Sequence, residues 1–291
     1  MKLGVVGTTG GWSSEMLADT IAAKTGFRLL IDMEKTTLDL DTGEVWFNDI
    51  ELSTLDGLLI KKIGARYSPD LLDRLEVLRF LHEKGLAIFS APDKILRVLD
   101  RLSCTVTLRS AGIPMPPTTI TEDTDCALTA VRKYGKAVFK PLYSSKARGM
   151  EVISDVPDAA SQIAAFKEKN TFMYIQKKID LGGRDLGVVF LGGKYLTTYA
   201  RCNTGTSWNT TTTSGGKYEA YTPHPSLIQL AAKAQSLFGL DFTCVDVVET
   251  ANGPVVFEVS AFGGFRGITT TSDFDPASLL VDYVMETIDH V

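Results

Sequence analysis

The chain has 291 residues, of which 44% are hydrophobic and 22% are charged, and its formal net charge is −5. This composition is typical of a soluble protein with one large domain or two to three smaller ones. The negative charge gives no support to nucleic-acid binding, and no apolar run approaches the roughly 18 residues of a membrane span. The four cysteines have no paired spacing, so we expect neither a zinc site nor disulfides, and we expect a cytoplasmic protein.

Strands and helices alternate through the first hundred residues. Apolar runs predict strands at 2–7, 27–32, 54–64 and 86–90, and capped amphipathic patterns predict helices at 13–26 and 68–85. This alternation favours a small open α/β layer. The glycines of GTTGGW lack the G-x-G-x-x-G spacing of a dinucleotide loop, so we do not expect one there.

The pattern becomes mixed after residue 90. Residues 91–112 predict one helix, and the prolines of IPMPPTTI then mark a break into new structure. Further strands are predicted at 136–142, 149–153, 172–179 and 186–200, and further helices at 124–135, 158–170, 225–239 and 275–290. The fold class is therefore α/β.

The stretch DFTCVDVVETANGPVVFEVSAFGGF, residues 241–265, predicts a hairpin around Ala251-Asn252-Gly253. A three-residue loop would place Asp246 opposite Glu258, with Ser260 on the same face; a two-residue Asn-Gly loop would split the two acids between faces, and we prefer the first. The other face would then carry Val245, Val247, Phe257 and Val259. Opposed carboxylates repel, so a proton or a cation must neutralise them, and two carboxylates with a hydroxyl suit magnesium. The alternative is a solvated hairpin edge with two unrelated acids.

A second informative stretch is AVFKPLYSSKARGMEVI, residues 137–153. Lys140 lies near the end of an apolar strand, where an inward-facing lysine needs an anionic partner. The following loop supplies hydroxyls such as that of Ser145, two cations and Gly149, and such a loop can close over phosphates. It is not a Walker A loop, and the alternative is an ordinary hairpin loop with solvated lysines.

Two weaker patterns follow along the chain. A strand edge at Gln176 to Ile179 can bind an adenine through backbone groups, and Asp185 can accept hydrogen bonds from a ribose; the alternative is a surface loop. Arg201 ends a strand beside a polar loop that carries Asn209 and the pair Gly215-Gly216. An arginine there can stabilise a phosphoryl group in transfer, although it is equally compatible with a surface cation.

The order of these patterns resembles the ATP-grasp superfamily, and most closely the RimK-type carboxylate–amine ligases. The resemblance begins at LDGLLIKKIG and continues through GIPMPPT. It is densest at GLDFTCVDVVETANGPVVFEVSAFGGFRGI, which is similar to the family segment G-L-D-x-x-G-V-D … E-V-N-A-S-P-G. The resemblance implies an ATP-grasp fold with a small open α/β domain at 1–92, a lid subdomain at 93–180 and a large subdomain with the metal site at 181–291.

The resemblance also implies roles for individual residues. Nucleotide binding would fall to Arg101, Lys140, Ser145, Gly149, Gln176, Lys177, Lys178, Ile179 and Asp185. Within this set Lys140 would bind phosphate, Gln176 to Ile179 would line the adenine pocket, and Asp185 would hold the ribose. Arg201 and Asn209 would be catalytic, and the magnesium ligands would be Asp246, Glu258 and Ser260, with manganese as the alternative cation.

The sequence departs from the family pattern at several of these positions. Ser260 replaces an asparagine, Arg101 replaces the lysine of an Asp-Lys pair, and Lys177 replaces the hinge glutamate. The loop before the double glycine is about two residues longer, and Trp208 stands where an arginine is usual. We therefore expect the metal geometry and the acceptor pocket to differ from those of the family.

The function implied is an ATP-dependent ligase that forms an amide through an acylphosphate. Its substrates would be a carboxylate of a small molecule or peptide and an amine such as the amino acid glutamate, with no nucleic-acid or membrane partner. We also expect a homo-oligomer. Two alternatives are another ATP-grasp chemistry, such as a kinase, and a non-catalytic ATP-binding module, which Ser260 and Trp208 would favour.

Overall fold

A computed structural model describes residues 1–203, 205, 208–211 and 215–290. The first ninety residues contain strands β1 (Leu3–Val6), β2 (Leu30–Ile31), β3 (Thr36–Asp39), β4 (Glu44–Phe47), β5 (Ile50–Glu51), β6 (Gly57–Ile60) and β7 (Ala87–Phe89), and helices α1 (Trp12–Thr25) and α2 (Asp70–Glu83). Four of the strands form a parallel sheet in the order β2-β1-β6-β7, as an open α/β layer requires. The small antiparallel sheet β3-β4-β5 was not predicted.

The helix predicted over 91–112 is in fact two helices, α3 (Pro92–Leu99) and α4 (Arg101–Ser110). Asp100 separates them with an extended backbone, φ −85° and ψ 121°. Its carboxylate accepts hydrogen bonds from the backbone N–H groups of Leu102, at 3.1 Å, and Ser103, at 3.3 Å. An aspartate that caps a new helix in this way competes with continuation of the old one. The break makes Arg101 the first residue of α4.

The middle of the chain forms an antiparallel sheet covered by two helices. Its elements are β8 (Thr118–Thr121), α5 (Thr124–Tyr134), β9 (Lys136–Lys140), β10 (Glu151–Ser154), α6 (Ala159–Lys169) and β11 (Met173–Lys177). The strand order is β10-β9-β11-β8. Phe139 and Phe166 meet edge to face with ring centroids 5.3 Å apart, and this pair fixes α6 on the sheet.

The last part of the chain forms a five-stranded antiparallel sheet in the order β14-β13-β12-β15-β16. Its elements are β12 (Arg184–Leu191), β13 (Lys194–Cys202), β14 (Lys217–Ala220), α7 (Pro225–Ser236), β15 (Phe242–Thr250), β16 (Gly253–Ser260), α8 (Phe265–Thr271) and α9 (Pro276–Asp289). The proposed divisions at 92 and 180 fall between the three large sheets. Within the described ranges, no helix has both the length and the apolar character needed to cross a membrane.

The beginning and the end of the chain share one hydrophobic core. Leu3 of β1 and Leu17 of α1 belong to the same buried cluster as Phe265 of α8 and Val284 of α9. Removing this apolar surface from water stabilises the contact between the parallel sheet and the five-stranded sheet. The N-terminal layer is therefore held firmly against the part of the chain that carries the hairpin of β15 and β16 with Asp246 and Glu258, here called the acid hairpin.

The acid hairpin has the predicted pairing but reaches it by a different route. Asp246 pairs with Glu258, as expected, yet Thr250 pairs with Gly253, so the loop has two residues rather than three. A β-bulge between the Val247–Val256 and Asp246–Glu258 pairs inserts the extra residue, Phe257, and restores the register. The expectation that Phe257 lies on the opposite face was wrong, because its ring lies 4.9 Å from the ammonium of Lys140.

The ring of Tyr199 fills the space between the five-stranded sheet and α8. The ring lies over Gly187, which is the pairing partner of Tyr199 on the neighbouring strand β12. On its other side the ring contacts α8, where a Cβ built on Gly267 would lie 2.7 Å from it. Its hydroxyl lies 3.6 Å from the thiol of Cys244, beside the acid hairpin. Only glycine leaves room for this ring at both positions.

We expect Gly187→Ala to destabilise the protein by about 1–3 kcal/mol, because a methyl group would overlap the Tyr199 ring. Urea denaturation measures the change, and Gly205→Ala is the matched control, since a Cβ there has no neighbour within 4 Å. The penalty should shrink in a Tyr199→Leu background. An equal penalty in both backgrounds would show that the strain does not come from the ring.

Candidate active site

Three strands of the five-stranded sheet bring two aspartates and one arginine together. Asp185 on β12 pairs with Arg201 on β13, and the neighbouring Gly187 pairs with Asp246 on β15. The guanidinium of Arg201 forms ion pairs with Asp185 and, at 2.9 Å, with Asp246. One arginine therefore bridges two carboxylates in the centre of the sheet.

The second acid of the hairpin has an arginine of its own. Nη1 of Arg101 lies 2.8 Å from Oε2 of Glu258. Burial raises the pKa of Asp246 to about 6, against the opposing effect of Arg201. Burial also pushes the pKa of Glu258 upwards, but Arg101 and Lys140 outweigh it and hold that pKa below its usual value. The hairpin thus contains one carboxylate that gives up its proton readily and one that holds it more tightly.

Arg101 also ties the acid hairpin to the loop after β9. Its Nε donates to the backbone carbonyl of Pro141 at 3.2 Å, and its Nη2 lies 3.5 Å from the carbonyl of Ser144. Only 8% of the side chain is exposed. The arginine at this position, where the family pattern has a lysine, provides enough donors to hold Glu258 and the loop together.

Lys140 is buried and bound to an amide rather than to an acid. Its ammonium donates to Oε1 of Gln176 at 2.6 Å, and Gln176 in turn donates to the hydroxyl of Thr118 at 3.2 Å. Burial, followed by the charge of Arg101, lowers the pKa of Lys140 to about 7. Gln176 therefore positions Lys140 through its side chain, which is a contact that the sequence did not suggest.

The loop after Lys140 contains an unusual run of left-handed backbone. Lys146 has φ 56°, Ala147 has φ 57° and Gly149 has φ 69°. The guanidinium of Arg148 donates to the hydroxyl of Ser145 at 3.0 Å. Two non-glycine residues in this region are costly, and such strain is found at ligand-binding loops. The local geometry agrees with the predicted role of this loop in phosphate binding, which stays a prediction.

The adenine prediction needs a correction. Gln176 and Lys177 do not lie on a strand edge, because β11 is flanked by β9 on one side and β8 on the other. The N–H groups of Lys177 and Lys178 already donate to the carbonyls of Pro117 and Lys136. Any purine contact with the N–H groups of this segment must therefore use those that follow, beginning with Ile179.

Asp185 lies beside the acid hairpin and is already engaged. One of its oxygens binds Arg201 and the other accepts a hydrogen bond from the hydroxyl of Thr210. The side chain oxygen of Asn209 accepts from the backbone N–H of Thr211 at 3.1 Å. The ribose role of Asp185 and the catalytic role of Asn209 stay predictions. Residues 204, 206–207 and 212–214 of this polar loop lie outside the described residues.

The protein supplies only part of a metal coordination shell. Among the described residues there is no cluster of three or more histidine, cysteine, aspartate or glutamate side chains suited to a metal ion. Asp246 and Glu258 are directly opposed, and the hydroxyl of Ser260 accepts from the N–H of Phe262 at 3.2 Å. Two carboxylates fit magnesium that takes its remaining ligands from phosphates and water. The assignment of these three residues to the metal stays a prediction.

Two lysines of the N-terminal layer were missed. Lys61 follows β6, is 3% exposed, and donates to the carbonyl of Gly263 just after the acid hairpin. Lys62 is half-buried, and its pKa is lowered by burial and then by the charges of Lys146 and Arg148. The signal was present, since LDGLLIKKIG places lysines at the end of an apolar strand, as AVFK does for Lys140.

A buried lysine on a four-stranded antiparallel sheet faces opposed carboxylates on a five-stranded one, and this is the arrangement of an ATP-grasp enzyme. A family model described as a RimK-like ATP-grasp domain matches residues 98–284. The chain belongs to the RimK-like ATP-grasp family. The predictions of this family, of the ATP-grasp fold and of a carbon–nitrogen ligase are confirmed.

Similar proteins are consistent with this assignment. The tetrahydromethanopterin:α-L-glutamate ligase of Methanosarcina acetivorans is 23% identical over 95% of this chain and 96% of its own. A RimK domain ATP-grasp protein from Sphaerobacter thermophilus has a TM-score of 0.75 at 21% identity, covering 98% of this chain and 100% of that one. The ATP-grasp ligase PsnB, complexed with a phosphomimetic variant of its minimal precursor, Mg and ADP, has a TM-score of 0.75 at 16% identity, covering 98% of each chain.

We expect Lys140→Met to weaken ADP binding by about 1.5–3 kcal/mol, the usual contribution of a hydrogen bond to a charged group. Isothermal titration calorimetry measures the loss, and Lys136→Met, at the exposed start of β9, is the control. Unchanged affinity in Lys140→Met would make Lys140 a structural lysine only.

The pH dependence of ADP binding should also depend on Lys140. Its lowered pKa of about 7 leaves it neutral above that pH, whereas a phosphate partner requires the charged form. The affinity of the wild type should therefore fall between pH 7 and 9. Lys140→Arg, which stays charged, should lose this dependence. An identical pH profile in both proteins would exclude Lys140 as the group responsible.

We expect Glu258→Gln to abolish turnover in a protein that still folds, with a lower thermal unfolding midpoint because Arg101 loses its charged partner. The change removes one carboxylate that would face the metal, while it also relieves repulsion with Asp246. ADP release and the thermal unfolding midpoint are measured together. Glu249→Gln, which alters an acid of the same hairpin bound to Tyr221, is the control. Full turnover of Glu258→Gln at saturating magnesium would rule out the metal role.

Proposed function

We propose that the protein joins an amino acid, with L-glutamate as the first candidate, to a carboxylate of a small molecule or peptide at the expense of ATP. An oxygen of the carboxylate attacks the γ-phosphorus, the bond to the β-phosphate oxygen breaks, and ADP leaves. The amine nitrogen then attacks the acyl carbon, phosphate leaves, and the nitrogen loses a proton. The products are an amide, ADP and phosphate.

The observation that carries this proposal is the placement of charge on two facing sheets. Lys140, Arg101 and Arg201 surround the two opposed carboxylates, and no Ser-His or Cys-His pair accompanies them among the described residues. Such a site acts by holding reactants in position and by stabilising developing negative charge, without a covalent intermediate on the protein. Phosphoryl transfer requires little more of a protein.

The residues divide the work as follows in this proposal. Lys140, with Arg101 and the loop around Gly149, binds the phosphates, and Arg201 faces the phosphoryl group in transfer. Asp246 and Glu258 would hold magnesium, whose positive charge would offset the negative charge of the triphosphate. Manganese is the alternative cation. In that state Arg201 and Arg101 would turn from the carboxylates towards phosphate oxygens, since each now occupies a carboxylate that the metal would take.

Glutamate is preferred because the relatives named as α-L-glutamate ligases cover nearly the whole chain. The names of some of these relatives give tetrahydromethanopterin as the acceptor, and the names of others give none. The proposal therefore commits to the amine and to the class of the acceptor, a carboxylate. A homo-oligomeric state remains part of the proposal and is tested by light scattering.

An oxygen-transfer experiment tests the chemistry. The enzyme is incubated with ATP, magnesium, glutamate and a panel of acceptors whose carboxylates carry ¹⁸O, and the phosphate released is analysed by mass spectrometry. We expect one ¹⁸O atom per phosphate, because the attacking oxygen leaves with the phosphate. Glu258→Gln should release none.

The other outcomes distinguish the alternatives. ADP formed without amide, together with a stable phosphorylated product, would identify a kinase. ADP binding without turnover across the panel would identify a non-catalytic module. Phosphate without ¹⁸O in the presence of amide would exclude the acylphosphate route.

A further inference from the structure

Three loops meet where the parallel sheet touches the acid hairpin. Strands β1 and β6 are adjacent, but the chain leaves them in opposite directions across the sheet, β1 towards β2 and β6 towards β7. In open α/β sheets, ligands bind in the crevice outside the carboxyl ends of the strands at such a switch point. The loops after β1 (7–11) and after β6 (61–69) border this crevice, and the loop after β16 (261–264) closes it from the other side.

Contacts between the loops define the position of the crevice. The N–H groups of Lys61 and Lys62 both donate to the carbonyl of Val6 at the end of β1. The ammonium of Lys61 binds the carbonyl of Gly263 and lies 3.9 Å from the centroid of the Phe265 ring. The loop after β16 and the carboxyl ends of β1 and β6 are therefore fixed relative to one another.

An exposed indole stands at one end of this crevice. Trp12, the first residue of α1, is 42% exposed, and the guanidinium of Arg266 on α8 lies 5.2 Å from the centroid of its ring. Arg266 follows Phe265 directly, so this pair lies next to the Lys61 contact. Exposed aromatic surface of this size stacks readily on planar groups.

Unbalanced positive charge stands at the other end. Lys62 lies near Lys146 and Arg148 of the loop after β9, and none of the three forms an ion pair with an acid within the described part of the chain. Three neighbouring cations repel one another unless an anion separates them. Lys62 is the second residue after β6 and its N–H donates to the carbonyl of Val6 at the end of β1, so its backbone lies at the border of the N-terminal crevice.

We infer that this crevice binds the acceptor substrate, and that the acceptor carries a planar ring that stacks on Trp12 and a carboxylate that is held by Lys62. The inference rests on the function proposed above and deepens it by naming the chemical class of the acceptor. Lys62 places the carboxylate beside the phosphate loop, where its oxygen must reach the γ-phosphorus. Trp12 and Arg266 hold the rest of the molecule at the far end.

Two small dicarboxylates distinguish the contribution of the aromatic ring to binding from the contribution of the carboxylate charge. N-(4-aminobenzoyl)-L-glutamate carries an aromatic ring, and N-acetyl-L-glutamate lacks it. Their affinities for the protein with bound ADP and magnesium are measured by calorimetry in the wild type, Trp12→Ala, Lys62→Met and Trp46→Ala. Trp46, 37% exposed on β4, is the matched control for a surface indole. Quenching of Trp12 fluorescence by the aromatic probe is followed in a Trp46→Phe, Trp208→Phe background that retains ADP binding.

We expect the aromatic probe to bind the wild type about three- to tenfold more tightly than the acetyl probe, the range for an aromatic pair. Trp12→Ala should remove this difference, Lys62→Met should weaken both probes, and Trp46→Ala should change neither. The inference is overturned if the wild type does not bind the aromatic probe, or if Trp12→Ala leaves the ratio of affinities unchanged. ADP affinity in the same samples shows whether the nucleotide site is intact, and the oxygen-transfer experiment decides the proposed function separately.

Discussion

Two carboxylates that face each other across one pair of strands constrain the rest of this structure. Asp246 and Glu258 are directly opposed, and like charges at such positions are destabilising. Each acid forms an ion pair with an arginine that offsets this repulsion. Asp246 pairs with Arg201 of β13, and Glu258 pairs with Arg101 of α4. The helix break at Asp100, the bulge at Phe257 and the placement of Arg101 against the loop after β9 all belong to this solution.

Such a cluster of charges contributes little to the stability of the fold and serves the reaction instead. Ion pairs that are largely removed from water repay little more than the cost of their desolvation, although the loss of one partner is expensive. The side chains of Arg201, Asp185 and Asp246 are 21%, 11% and 19% exposed. The stability of the fold comes instead from apolar clusters, such as the one that joins α1 and α9 to the five-stranded sheet. Charge and packing are thus assigned to different parts of the molecule.

Much of the fold could be predicted from the sequence because its periodic patterns are strong. The helices at 12–25 and 70–83 and the alternation of strands follow from apolar spacing and end signals such as Gly26, whose φ of 75° ends α1. The break at Asp100 could not, because the choice between continuing a helix and capping a new one depends on tertiary contacts of Arg101. The sheet β3-β4-β5 was missed for a different reason: its strands are only two to four residues long, which is too short for a clear periodic pattern.

The site was predictable in its residue types more than in its connections. A lysine at the end of an apolar strand and two acids on a hairpin are visible in the sequence pattern itself. The roles of the other site residues were predicted from the resemblance to the RimK-type ligases. The sequence did not reveal that Gln176 would bind Lys140, which depends on β9 pairing with β11. It also did not reveal that β11 would be an inner strand, which requires β8 to pair with β11 across more than fifty residues. Lys61 and Lys62 have the same pattern as Lys140, a lysine at the end of an apolar strand, but only the packing of the parallel sheet against the loop after β16 shows that Lys61 reaches Gly263.

The bulge at Phe257 separates the length of the hairpin tip from the position of the two acids. Ala251 and Asn252 are exposed, and the strand pairs next to them lie on the tip side of the bulge. Residues can be inserted at such a tip without disturbing the pairs beyond it, so related sequences and epitope tags can vary there freely. A deletion of Phe257 is different, since it would remove the bulge and leave Asp246 and Glu258 opposed in a regular ladder. Gaps in sequence alignments of this hairpin therefore belong at the tip or at the bulge.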